Sequence, residues 1–120
     1  ERIQARRNNY EFYKKHLKEN CISFLDEPEG FFSNRWLTCI LTNSFERRES
    51  IRLALEKENI EARPLWKPMH LQPVFKNYPC YLNGVSDNLF QKGLCLPSGS
   101  NLNNEDRNRI INVILNVINS

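Results

Sequence analysis

Residues 61–75 read E-A-R-P-L-W-K-P-M-H-L-Q-P-V-F, and the rest of the chain is organised around them. Pro64, Pro68 and Pro73 each lack a backbone donor and fix φ, which excludes a regular helix. Each also biases the residue before it, Arg63, Lys67 and Gln72, toward extended geometry. The segment is therefore a stiff, irregular ribbon. Two readings of it stand open on the residues alone. In one it is a binding surface that displays Arg63, Trp66 and His70 at low entropic cost. In the other it is a proline-stiffened connection whose Trp66, Met69 and Phe75 cover the core. Nothing in the spacing specifies a reaction.

At 120 residues the chain supports one domain, residues 1–120, with one modest core. The net charge is +3, from 17 Lys and Arg against 14 Asp and Glu, and the two signs are interleaved. The basic pairs Arg6-Arg7, Lys14-Lys15 and Arg47-Arg48 sit in helical patterns beside glutamates, which reads as solvated helix faces and argues against nucleic-acid binding. No apolar run is long enough to span a bilayer, and no signal-peptide pattern is present. Cys21, Cys39, Cys80 and Cys95 are far apart in sequence and none forms a C-x-x-C. Cys39 and Cys95 lie in apolar runs, where a thiol behaves as a small hydrophobe. With His16 and His70 also separated, the pattern argues for reduced thiols in the cytoplasm and no metal.

Working outward from the ribbon, residues 1–20 read as a helix with Ile3, Tyr10, Tyr13 and Leu17 on one stripe. The pattern already runs at residue 1 without a cap, which suggests that the natural chain continues upstream. Residues 21–25 are a short strand closed by the turn D-E-P-E-G. Residues 35–42, R-W-L-T-C-I-L-T, form the best strand, and their near-continuous apolarity predicts a central strand covered on both faces. Asn43 and Glu46 make a capping box for a helix to about residue 58, with Ile51, Ala54 and Leu55 inside and Arg47, Arg48, Arg52 and Lys57 on the polar face. Ile60 and Ala62 face inward just before the ribbon. Beyond it, Ser86 caps a helix of two turns that Gly93 ends in a left-handed conformation. Residues 94–96 are a strand, and Asn103 with Asp106 caps a last helix whose wide apolar face carries Ile110, Ile111, Ile114, Leu115, Val117 and Ile118. The order α, β, β, α, β, ribbon, α, β, α predicts an α+β two-layer sandwich, a small sheet with flanking helices.

Chemistry-bearing signatures are sparse. No Gly-rich phosphate loop, G-x-S-x-G or H-E-x-x-H occurs. The serines of residues 98–100, S-G-S, read as turn residues rather than nucleophiles. His70 is the one credible acid, base or hydrogen-bonding histidine. Arg63 and Lys67 suit an anion such as phosphate, and Trp66 suits a base or sugar face. Physical chemistry alone gives a small binding or accessory domain.

Three stretches carry a resemblance: E-R-I-Q-A-R-R-N-N-Y-E-F-Y at residues 1–13, N-I-E-A-R-P-L-W-K-P-M-H-L-Q-P-V-F at 59–75, and S-D-N-L-F-Q-K-G-L-C-L-P-S-G-S-N-L followed by N-N-E-D-R-N-R-I-I from 86 onward. Together they resemble the C-terminal domain of DegT/StrS-type, pyridoxal-phosphate-dependent sugar aminotransferases, nearest those that aminate C4 of UDP-linked 4-keto-6-deoxy-N-acetylhexosamines, the bacillosamine type. The resemblance implies the small domain of a fold-type-I enzyme, a homodimer when full-length, serving surface-polysaccharide or glycan biosynthesis. Its partners would be a nucleotide sugar and an amino donor, glutamate. The large domain, with the cofactor and its Schiff-base lysine, would lie upstream of residue 1. This chain alone is then expected to hold no pyridoxal phosphate, to contain no catalytic residue and to be inactive. By the same resemblance Arg63, Trp66, Met69 and His70 contact the substrate: Arg63 takes phosphate or carboxylate oxygens, Trp66 and Met69 shape the pocket, and His70 hydrogen-bonds sugar or diphosphate. A free-standing interaction module derived from that domain, or part of a pyridoxal-phosphate sugar dehydratase, are the alternatives.

Overall fold

A computed structural model of the chain describes residues 1–18 and 21–120. Its elements are α1 (Arg2–Leu17), β1 (Ser23–Phe24), β2 (Thr38–Leu41), α2 (Phe45–Lys57), β3 (Arg63–Pro64), α3 (Val85–Lys92), β4 (Gly93–Leu96) and α4 (Asn104–Ile118). Two single 3-10 turns, Met69–Leu71 and Pro73–Phe75, break the ribbon. Glu19 and Asn20, the end of the expected first helix, lie outside the described residues.

The strands form one antiparallel sheet in the order β1-β2-β4-β3. Ile40, Leu94 and Leu96 enter one core with Tyr13 and Leu17 of α1, Ile51 and Leu55 of α2, and Ile110, Ile111 and Ile114 of α4. Thus α4 rests on α2 and α1 while all three helices cover one face of the sheet. The α+β two-layer arrangement expected from the sequence is the one observed. Because side chains alternate along a strand, Cys39, Leu41 and Cys95 point to the opposite face, where they are only half-buried. β2 is therefore an interior strand as expected, but the second covering layer is incomplete.

Several local expectations need correcting, each for a physical reason. β2 starts at Thr38 rather than at residue 35, because Arg35 is left-handed at φ 49°. The Ser33 hydroxyl accepts from the Arg35 amide (3.2 Å) and the Asn34 side chain from the Trp36 amide (3.0 Å), a local turn that competes with the ladder. Ser44, not Asn43, caps α2: its backbone is extended and its hydroxyl accepts from the Arg47 amide at 3.1 Å. Ala54 is half-buried, and the remaining place inside α2 goes to Arg48. Only 4% exposed, Arg48 donates to the Gln91 carbonyl (3.1 Å), pairs with Glu49 (3.2 Å) and lies over the Phe45 ring. It ties α2 to the C-terminal end of α3, where the helix carbonyls favour a cation.

α3 begins two residues earlier than a Ser86 cap would allow. Gly84 is its cap, at φ 78°, and Asn83 accepts from the Val85 amide. Gly93 is not left-handed but extended (φ −92°, ψ 141°), and it opens β4. Glycine is required there for room: a Cβ would overlap the Leu65 side chain and the Leu89 carbonyl oxygen. At α4 the expected capping box is present, with Asn103 accepting from the Asp106 amide (2.8 Å) and Asp106 from the Asn103 amide (3.1 Å).

Candidate functional site

The open face of the sheet ends in a cavity of about 590 Å³ lined by Trp36, Leu37, Glu61, Arg63, Pro64, Trp66, Cys95, Leu96, Pro97 and Ser98. Strand register assembles it. Arg63 stands opposite Cys95, and Thr38 opposite Leu96, so the residues just outside β2, β3 and β4 converge at one end of the sheet.

Helix α1 holds two of its walls. Arg6 donates to the Trp36 carbonyl (2.5 Å) and to the Ser98 carbonyl (3.3 Å). The buried Asn9 donates to the Gly99 carbonyl (2.9 Å), and the Tyr13 hydroxyl to the Pro97 carbonyl (2.9 Å). Arg7 bonds the Ser33 carbonyl (2.5 Å) and pairs with Glu27 (3.0 Å), which also accepts from the Ser33 amide. These contacts hold the Glu27 carboxyl below the usual carboxylate range. Arg35 stacks on the Tyr10 ring and donates to the Leu25 carbonyl. The Arg6-Arg7 pair is thus not a solvated face. It anchors the loop that presents Trp36.

Ser98 uses both hydrogen-bonding roles of its hydroxyl, accepting from the Thr38 amide (2.7 Å) and donating to the Leu96 carbonyl (2.9 Å). It is a strand connector, as its turn-like sequence suggested.

Of the four expected substrate-contacting residues, the structure brings Arg63 and Trp66 into one cavity and places Met69 and His70 outside its lining. Arg63 is 76% exposed and pairs with Glu61 at 2.5 Å, so an incoming anion would compete with that carboxylate. Trp66 is 68% exposed and offers an uncovered ring. Met69 is exposed on the first 3-10 turn. His70, next to it, is largely buried, and its Nε2 lies 3.0 Å from Asp87 Oδ1 in the first turn of α3. Lys67 is exposed beside them, and its carbonyl accepts from the Gln72 side chain (3.0 Å), which pins the ribbon. Sequence reasoning missed Trp36, Glu61 and Cys95. Trp36 comes from the loop before β2 and Cys95 from β4, and only the register of the sheet joins them to the ribbon. Glu61 was legible as a charge two residues from Arg63.

A model of the DegT/DnrJ/EryC1/StrS aminotransferase family matches residues 1–115. The chain belongs to that family. EpsN of Bacillus subtilis (strain 168), assigned as a pyridoxal phosphate-dependent aminotransferase, is 39% identical over 122 residues, covering 98% of this chain and 31% of its own length. GDP-perosamine synthase of Escherichia coli O157:H7 is 30% identical over 103 residues, covering 86% of this chain and 28% of its own. Among solved structures, a DegT DnrJ EryC1 StrS aminotransferase from Brucella abortus superposes with a TM-score of 0.83 at 28% identity, over 98% of this chain and 31% of that one. The chain thus spans about a third of the length of these relatives. DegT-family members are pyridoxal-phosphate-dependent sugar aminotransferases. Among the described residues that line the cavity there is no lysine that could form a Schiff base, and the Arg63 guanidinium there is paired with Glu61.

Proposed function

We propose that residues 1–120 are the C-terminal domain of a sugar aminotransferase and form one wall of a nucleotide-sugar site. The observation that carries this reading is the cavity rimmed by Trp36 and Trp66 with Arg63 between sheet and ribbon. Exposed indole rings suit the flat faces of a base or sugar, and a guanidinium suits diphosphate oxygens, provided the anion outcompetes Glu61. His70, oriented by Asp87, would donate to a sugar hydroxyl or diphosphate oxygen, and Met69 would shape the outer wall. That one relative is named GDP-perosamine synthase supports a nucleotide-linked keto sugar as the amine acceptor. The reading nearest the ribbon sequence is a UDP-linked 4-keto-6-deoxy-N-acetylhexosamine, with glutamate as donor, in glycan or surface-polysaccharide synthesis.

Pyridoxal phosphate supplies the electron sink for such a reaction, and in this reading both it and the lysine belong to a large domain outside these residues. What this chain contributes is binding, orientation and exclusion of water. The full-length protein is read as a cytoplasmic homodimer. Among the described residues no helix is long and apolar enough to cross a membrane.

The test uses the full-length protein with glutamate and UDP-4-keto sugars, following cofactor absorbance through both half-reactions. Arg63→Ala and His70→Ala should raise KM for the nucleotide sugar at least tenfold, leaving the glutamate half-reaction intact. If both variants keep wild-type KM and turnover for the sugar, the site assignment is wrong.

A further inference from the structure

The same register that builds the cavity also places two thiols face to face. Cys39 and Cys95 are directly opposed on β2 and β4, with their sulfurs 3.7 Å apart, and both are free thiols. Their separation of 56 positions in sequence hid this proximity. The Thr42 amide donates to the Lys92 carbonyl (3.0 Å), which fixes the parity of the ladder. Counting back from that hydrogen-bonded pair, Leu41 and Gly93 are non-hydrogen-bonded, Ile40 and Leu94 hydrogen-bonded, and Cys39 and Cys95 non-hydrogen-bonded. In that type of pair the Cα atoms approach to about 4.5 Å and the side chains are closest. Disulfides span Cα separations of about 4.4–6.8 Å, a range that includes the spacing typical of such a pair. Cys95 lines the cavity, which gives a small reagent a path to the pair.

We propose that Cys39 and Cys95 form a reversible thiol–disulfide couple beside the cavity, reached through the Cys95 side that lines it and open to oxidation by small disulfides. Cys39 is the attacking group. The two sulfurs lie within S–H···S distance; with the Cys39 sulfur as acceptor this contact holds its thiol below the ordinary value, while the same contact and burial push Cys95 up. The Cys39 thiolate attacks one sulfur of a reagent R–S–S–R, forming Cys39–S–S–R and expelling RS⁻, which takes up the proton lost by Cys39. The Cys95 sulfur, surrendering its proton, then attacks the Cys39 sulfur. The Cys39–Cys95 bond forms, and the second R–S⁻ leaves with that proton as RSH. Two thiols and one R–S–S–R thus give one protein disulfide and two RSH, the two electrons passing to the reagent. The new bond staples β2 to β4 beneath Arg63, the next residue in the same cross-strand row. The proposal rests on strand register and does not depend on what the cavity binds.

The test treats the native full-length protein with dithiodipyridine, whose released thiopyridone is coloured, and maps the products by peptide mass without reduction. The expected product is a peptide pair joined through Cys39 and Cys95, lighter by two hydrogens, carrying no pyridyl adduct and separated again by reductant. Cys95→Ala should lose the linked pair and retain a stable pyridyl adduct on Cys39. Cys21→Ser/Cys80→Ser, which removes the two exposed thiols, should leave the link unchanged. Wild-type mapping supplies the answer should a variant fold poorly. Separate adducts on Cys39 and Cys95 with no link would overturn the proposal. So would silence of both thiols in the native protein when the urea-unfolded chain reacts.

Discussion

Ser98→Ala is the substitution that most directly tests how the cavity wall is built. Thr38 is fully buried, and its amide has the Ser98 hydroxyl as partner at 2.7 Å, while that hydroxyl donates to the Leu96 carbonyl at 2.9 Å. Alanine removes one oxygen and orphans a buried donor and a buried acceptor together. Each orphan costs roughly 1–3 kcal/mol. Partial recovery is open, because Thr38 and Leu96 occupy a hydrogen-bonded position of the ladder and the strands can close toward each other. The expected net loss is about 2–4 kcal/mol, or roughly 30- to 1,000-fold in local opening at about 1.4 kcal/mol per decade. Hydrogen exchange of peptides spanning 37–42 and 94–98 reads the local loss, and urea unfolding followed by circular dichroism reads the global one. Unchanged protection of the Thr38 amide with an unchanged urea midpoint would refute the bridging role. If turnover vanished while both stayed at wild type, Ser98 would instead be a chemical participant.

Thr38→Val should be neutral or stabilising by up to about 1 kcal/mol in the same urea assay, since the buried Thr38 hydroxyl has no hydrogen-bond partner among the described residues. Gly93→Ala should destabilise by roughly 1–3 kcal/mol, because the Leu89 carbonyl that a Cβ would strike also accepts the Gly93 amide and cannot retreat; a thermal melt unchanged from wild type would contradict this. Acid should loosen the loop of residues 25–36. Glu27 and Asp26 are held below the usual carboxylate range by Arg7 and Lys14, so their stabilisation is complete above the unfolded carboxylate value and disappears as pH falls through the lowered one. Exchange across 25–36, corrected for its intrinsic pH dependence, should rise below about pH 4 in wild type. In Glu27→Gln it should already be fast at neutral pH.

How much of this was legible follows from the range of each interaction. The α4 capping box is complete within four residues, Asn103 to Asp106, and reads directly from the sequence, as do the apolar face of α4 and the strand at 94–96. Caps that depend on backbone angle were displaced by one or two positions, because Ser44 and Gly84 compete with equally suitable neighbours and tertiary packing decides. Arg48 looked solvated since its partners at Gln91 and Phe45 lie on another helix and one turn back. The cavity was half legible. The ribbon announced Arg63 and Trp66, whereas Trp36 and Cys95 join them only through strand pairing. His70 was recognised as a candidate, but its anchor, Asp87, is 17 residues away.

Pro64 has one more effect, on how the molecule meets other molecules. The Leu65 amide donates to the Gly93 carbonyl (3.3 Å), so Pro64, one residue earlier, turns its backbone outward from the end strand of the sheet. At that outward position a proline offers no N–H, and β3 is only two residues long. A passing chain therefore finds no donor row on which to add a strand. The rim of the sheet nearest the exposed aromatic side chains is protected against edge-to-edge aggregation, and the residue that stiffens the ribbon is the one that protects it.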